Sequence, residues 1–194
     1  MMYGATPRWT YVFILLSLVG FVLQYVTSSW IYLAFFPALV LEYPWMFVTS
    51  IFLHADLSHL FFNMIALFFF GTYLERVIGR RSFLTLFLVS GVIGNIGYLL
   101  TASDPLTPAI GASGAIYGVV GTLAVLSPLM MIFIYGIIPI PMFIAAILWT
   151  LLDVVGLFNP SGIANGAHLG GMVVGVAYGL YLRYPLITRR VTFG

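Results

Sequence analysis

The sequence contains no cysteine and no lysine, and only 6% of its 194 residues are charged. Without cysteine there is no disulfide framework and no thiol nucleophile, and cysteine usage carries no information on redox compartment. So little charge excludes a water-soluble fold, in which about a quarter of residues are charged. A net charge of +2, with the basic residues dispersed, offers no surface for nucleic acid. What is abundant is apolar: 62% of residues are hydrophobic and the mean hydropathy is +1.13. The expectation is an all-α polytopic membrane bundle forming a single domain over residues 1–194, with the lipid bilayer as its solvent.

Six hydrophobic segments are legible, at residues 9–27, 57–74, 81–100, 113–127, 139–157 and 166–183, the fourth short for a bilayer crossing. The turn signals Thr101-Ala102-Ser103-Asp104-Pro105 and Asn159-Pro160-Ser161-Gly162 separate the third from the fourth and the fifth from the sixth. The first segment reads as a span rather than a removable signal, because it is long, only Arg8 precedes it, and no small-residue cleavage site follows before Trp30.

All seven basic residues are arginine. With six spans, Arg8, Arg76, Arg80, Arg81, Arg183, Arg189 and Arg190 fall on one side of the membrane, while Glu42, Asp56 and Asp104 fall on the other. The positive-inside rule then makes both termini cytoplasmic, in a cell membrane.

Polar residues converge in depth. Counting about 1.5 Å of rise per residue from the basic end puts Ser113 at roughly 21 Å, His168 at roughly 22 Å, His59 at roughly 24 Å and Asn63 at roughly 18 Å. In a hydrocarbon core about 30 Å thick, these groups from three spans share one layer. Gly114 and Gly118 in the fourth span, and Gly171, Gly175 and Gly179 in the sixth, recur at four-residue spacing. That spacing either serves ordinary helix packing or draws together the two spans that carry Ser113 and His168.

Ser113 follows Gly111-Ala112 and precedes Gly114. Two readings stand for it: a helix-capping serine, or a nucleophile beside the free amides of a helix start, with Gly111 and Gly114 easing the turn. His168 is either a structural histidine or the base that takes the serine proton and returns it to a leaving amine. Asp153 suggests a triad, but it lies fifteen residues from His168 on another span, and a Ser-His dyad is preferred. His59 and Asn63, four apart on one helix face, suit oxyanion donors. A metal site involving His54 and His59 is disfavoured because no carboxylate completes it: Asp56 reads as a helix cap. Glu75 with Arg76 reads as a surface ion pair or helix-end anchor, and Tyr117, one turn after Ser113, as a wall of the site or plain core.

These residues resemble the rhomboid family of intramembrane serine proteases in its basic six-span form. The likeness rests on His54-Ala55-Asp56-Leu57-Ser58-His59 with Asn63, Leu74-Glu75-Arg76 with Gly79, Gly111-Ala112-Ser113-Gly114, and Ala167-His168 with Gly171 and Gly175. It implies Ser113 as nucleophile and His168 as general base, His59 and Asn63 as oxyanion stabilisers, and Tyr117 packed near His168. It also implies structural roles for His54, Glu75 and Arg76, no cofactor and no metal. The implied substrates are single-pass membrane proteins, cut near the outer ends of their transmembrane segments. One departure stands in the first loop, where the family's Trp-Arg pair is Trp45-Met46. Pro139, Pro141 and residues 143–149 suggest mobility at the fifth span, where substrate would arrive. The rival functions are a non-proteolytic, chaperone-like or quality-control member of the same fold, and a small transporter. Intact Ser113 and His168 argue against the first, and the missing charges and inverted repeat against the second.

Overall fold

The computed structural model describes residues 6–134, 136–159 and 162–191; Pro160 and Ser161 of the expected turn lie outside them. Among the described residues, six helices of fourteen residues or more dominate: α1 (Trp9–Val26), α2 (Leu57–Ile78), α3 (Arg80–Thr101), α4 (Ser113–Leu126), α5 (Met142–Phe158) and α6 (Asn165–Val191). Three of them, α1, α2 and α3, are long and apolar enough to cross a membrane. α4, at fourteen residues, rises only about 21 Å and falls short of a 30 Å core. α2 runs four residues beyond the expected end at 74, with a π-turn over Leu67–Gly71.

The fifth segment departs further from expectation. Residues Met131–Ile134 and Ile138–Pro141 form an antiparallel hairpin, β1 and β2, with Ile132 opposite Ile140. The helix begins only at Met142, because prolines at 139 and 141 cannot donate interior helix hydrogen bonds. That hairpin follows the end of α4 far from Ser113, so the two prolines lie at the end of the bundle opposite the serine.

The core is built where α1 meets α3: Phe13 stacks on Phe87 at 4.1 Å between ring centroids, with Phe83 beside them. Around α6, glycine replaces side-chain interdigitation. A Cβ on Gly171 would strike the Gly114 carbonyl, and one on Gly175 the Gly118 carbonyl. α4 and α6 therefore touch backbone to backbone, which is how membrane helices gain contact without a hydrophobic driving force.

Glu75 is not a surface partner of Arg76. It is completely buried and accepts four hydrogen bonds: from the backbone amides of Arg8 and Trp9 through Oε1, and from the amide and hydroxyl of Thr10 through Oε2. α1 has no side-chain cap of its own, so Glu75 satisfies the orphan amides and opposes the positive end of the helix dipole.

The connection between α1 and α2 folds on itself. Phe35, Val40 and Met46 form a small core with Ala109, and Phe35 and Ala109 exchange backbone hydrogen bonds of 3.1 and 2.9 Å. Met46, standing where the family pair has arginine, is fully buried in that core, and the Trp45 indole donates to the Tyr32 carbonyl at 2.8 Å. The loop thereby grips the segment that delivers Ser113.

Candidate active site

Ser113 opens α4 but does not cap it: the N-cap residue is Ala112, and no side-chain cap bond is made. The Ser113 Oγ lies instead 2.9 Å from Nε2 of His168. The first amide to bond back in this turn is that of Ile116, to the Ala112 carbonyl. The amides of Ser113, Gly114 and Ala115 thus precede the helical ladder, the usual source of anion-binding N–H groups.

Two glycines flank the serine for different reasons. Gly111 has φ +126°, a left-handed conformation that disfavours other residues, and a Cβ there would sit 2.8 Å from Cε1 and Nε2 of His59. Its amide donates to the Ser50 carbonyl at 3.0 Å. Ser50 is itself held through its hydroxyl by Asn95 Nδ2 at 2.9 Å. Gly114, expected to help the chain turn, is helical, and its lack of a side chain serves packing against the Ala167 carbonyl and Gly94.

His168 sits in the first turn of α6. Gly166 and Gly170 bring that turn against the backbone of α3 at Gly97 and Ile93, while Tyr117 stacks flat on the imidazole. Its second ring nitrogen, Nδ1, lies 2.8 Å from Asp153 Oδ1. Sequence separation argued for leaving Asp153 out, yet the structure places its carboxylate within hydrogen-bond distance of the ring. α5 runs antiparallel to α6 and brings Asp153 back to the level of His168, with Gly156, one turn on, packed against Asn165. The signal available in sequence was a lone carboxylate in an apolar helix, which is costly unless paired.

His59, Asn63, Ser113 and His168 line one cavity of about 820 Å³, bordered also by Asp56 and Tyr98. Asp56 caps α2, accepting from the His59 amide at 2.8 Å. The Ala55 amide donates to His59 Nδ1 at 3.4 Å, which leaves Nε2, on the Gly111 side, as the hydrogen-bearing nitrogen. Asn63 spends one Nδ2 hydrogen on the His59 carbonyl at 2.8 Å, and the amide has a second hydrogen to offer.

His54 is fully buried. Gln24 of α1 clamps the His54 backbone, accepting from its amide at 2.9 Å and donating to its carbonyl at 3.1 Å. The side chain stands edge-on to His59, 5.1 Å between centroids. Burial, with His59 adding to it, pushes the His54 imidazole down to about 3, so the ring is neutral. Among the described residues no cluster of three or more histidine or acidic side chains is arranged to hold a metal ion.

The Rhomboid domain family matches residues 41–185. The chain is 33% identical over 151 residues to "Rhomboid protein 1, mitochondrial" of Saccharomyces cerevisiae, covering 70% of this chain and 41% of that protein. It is 31% identical over 173 residues to "Rhomboid protease GlpG" of Salmonella choleraesuis, covering 86% of this chain and 57% of that one. With "Rhomboid protease GluP" of Bacillus subtilis it shares 30% identity over 182 residues, 87% of this chain and 34% of that one. The chain thus spans between about a third and somewhat over half of the length of these relatives.

Proposed function

The chain belongs to the rhomboid family of multi-pass membrane proteins, and from that membership we propose that it is an intramembrane serine endopeptidase. The observation that carries the reading is the 2.9 Å approach of Ser113 Oγ to His168 Nε2 inside the bundle. A hydroxyl aimed at an imidazole, neither capping a helix nor exposed, is the arrangement of an activated nucleophile.

In this mechanism Ser113 passes its proton to His168 Nε2 as Oγ bonds to the scissile carbonyl carbon, and the carbonyl π pair moves to oxygen. The resulting oxyanion is met by the Ser113 amide, His59 Nε2–H and the Asn63 amide group. The imidazolium then protonates the leaving nitrogen as the C–N bond breaks, giving an acyl-enzyme and a free amine. Water gives a proton to Nε2 while its oxygen attacks the ester, and the imidazolium returns that proton to Oγ as the C–Oγ bond breaks, which restores Ser113 and the neutral base and frees the carboxyl product. No cofactor takes part.

The six helices would cross the bilayer, α4 incompletely, with both termini in the cytoplasm and the cavity open to the outer side. Arg80 donates to the Thr6 carbonyl beside the start of α1, and Arg183 to the Val125 carbonyl at the end of α4 away from Ser113, so the arginine side and the cavity lie at opposite ends. Substrates would be transmembrane segments of single-pass proteins arriving beside α5, which buries only Met142, Ala145, Ala146 and Asp153.

The test is cleavage of a transmembrane reporter by purified protein in liposomes, with fluorophosphonate labelling alongside. Wild type cleaves and is labelled at Ser113, whereas Ser113→Ala and His168→Ala do neither. Cleavage that persists in both variants would end the proposal.

A further inference from the structure

The bundle buries two carboxylates in very different surroundings. Glu75 has both oxygens filled by four donors, as a carboxylate retained to join helices requires. Asp153 is 4% exposed, and its Oδ1 lies 2.8 Å from His168 Nδ1. The Tyr117 hydroxyl also interacts with this carboxylate. A buried carboxylate is costly unless it is paired and hydrogen-bonded, and the group it is paired with here is the imidazole of His168. What it supplies there is one strong acceptor at one ring nitrogen.

Resting on the protease reading above, we infer that Asp153 is the positioning residue of the base, so that Asp153, His168 and Ser113 act as a relay of three rather than two. An ionised carboxylate can only accept, so Nδ1 carries the ring hydrogen and Nε2 presents its lone pair to the Ser113 hydroxyl. When Ser113 gives up its proton, the imidazolium stands between the serine and a fixed negative charge. Asp153 holds that cation and stays ionised throughout. The other titratable groups around the ring are Tyr117, stacked on its face, and, lining the same cavity, His59 and Asp56; the Asp56 carboxylate is engaged in capping α2 at the His59 amide. Asp153 is also one of only four residues that α5 buries, so the tautomer of the base depends on that helix being docked.

Asp153→Asn separates this role from packing, since it keeps the volume but can donate to Nδ1 and stabilise the opposite tautomer. Expected for Asp153→Asn is a kcat lowered ~100-fold or more with KM within about threefold of wild type. Asp153→Glu should recover part of the rate. The second readout needs no activity: in protein carrying isotope-labelled histidine, with His168 assigned by its loss in His168→Ala, NMR should find Nδ1 protonated in wild type and Nε2 protonated in Asp153→Asn. Should Asp153→Asn keep wild-type kcat and tautomer while Ser113→Ala is inert, the inference is overturned and the protease reading stands. A rate loss in Asp153→Asn that tracks lost thermal stability with Nδ1 still protonated overturns it equally. Were wild type itself unable to cleave, the protease reading would fall, and the tautomer comparison alone would decide whether Asp153 orients His168.

Discussion

Tyr117 lies flat on the imidazole of His168, with ring centroids 4.3 Å apart and planes within 10°. The tyrosine is one turn beyond Ser113 on α4, so the helix that carries the nucleophile also fixes the plane of the base. Stacking of this kind is worth about 1 kcal/mol. Tyr117→Phe keeps the ring and should cleave within about twofold of wild type, whereas Tyr117→Ala should lose ~5-fold in kcat. Steady-state cleavage of a membrane reporter by both variants checks this.

At Gly111 two constraints coincide, a left-handed backbone and the edge of His59. Gly111→Ala must relax one of them, and either movement displaces the serine turn or an oxyanion donor. The expected result is a fall in kcat of more than ~10-fold, on the scale of losing one oxyanion contact, in protein whose thermal unfolding is lowered only modestly. A variant with wild-type kcat would show that His59 plays no part at that position.

Gly171 and Gly175 face backbone carbonyls, which cannot rotate away as a side chain can. Alanine at either should cost about 1–3 kcal/mol, the range for overpacking a filled site, and valine more. Thermal unfolding in detergent gives the order. The same substitutions push α6 from α4, so fluorophosphonate labelling of Ser113 should slow with them.

Glu75→Ala strands three amides and a hydroxyl at the start of α1. Buried donors without partners cost about 1–3 kcal/mol each, so a large loss of thermal stability is expected, while Thr10→Val should cost only about 1 kcal/mol. The fraction that remains folded should cleave at the wild-type rate, since Glu75 lies at the end of the bundle opposite the cavity.

Asp104, in the exposed turn before the site, accepts from the Leu106 amide at 2.9 Å and the Thr107 hydroxyl at 2.8 Å, which hold its carboxyl below the usual carboxylate range. A pKa lower in the folded than in the unfolded chain stabilises the turn above the ordinary carboxylate pKa, and that contribution is lost as pH falls through the lowered value. Proteolytic nicking of residues 102–107 should therefore rise in acid for wild type and be pH-independent in Asp104→Asn, apart from the protease's own profile.

The sequence made the shared depth of Ser113, His168, His59 and Asn63 readable because helical rise is regular, and the structure brings the four to one cavity. What escaped it were pairings set by how helices are ordered around the bundle. Asp153 seemed remote because α5 and α6 are joined by a turn whose geometry no periodicity reports. Glu75 beside Arg76 suggests an ion pair or a helix-end anchor, and the structure favours the anchor: three of its four donors are backbone amides, which every such residue has and no letter marks. The hairpin at 131–141 was hidden for another reason. Its strands are as apolar as the spans beside them, and only the prolines betray that the run is not yet helix.

The cap that Glu75 places on α1 also sets an order of events during synthesis. A chain made from its amino end delivers Arg8, Trp9 and Thr10 some 65 residues before the side chain that completes their turn. Until α2 has been made and brought alongside, the beginning of α1 is a helix end without a lid, and its registration in the bundle is provisional. α1 is thus locked only after the helix that follows it has been made.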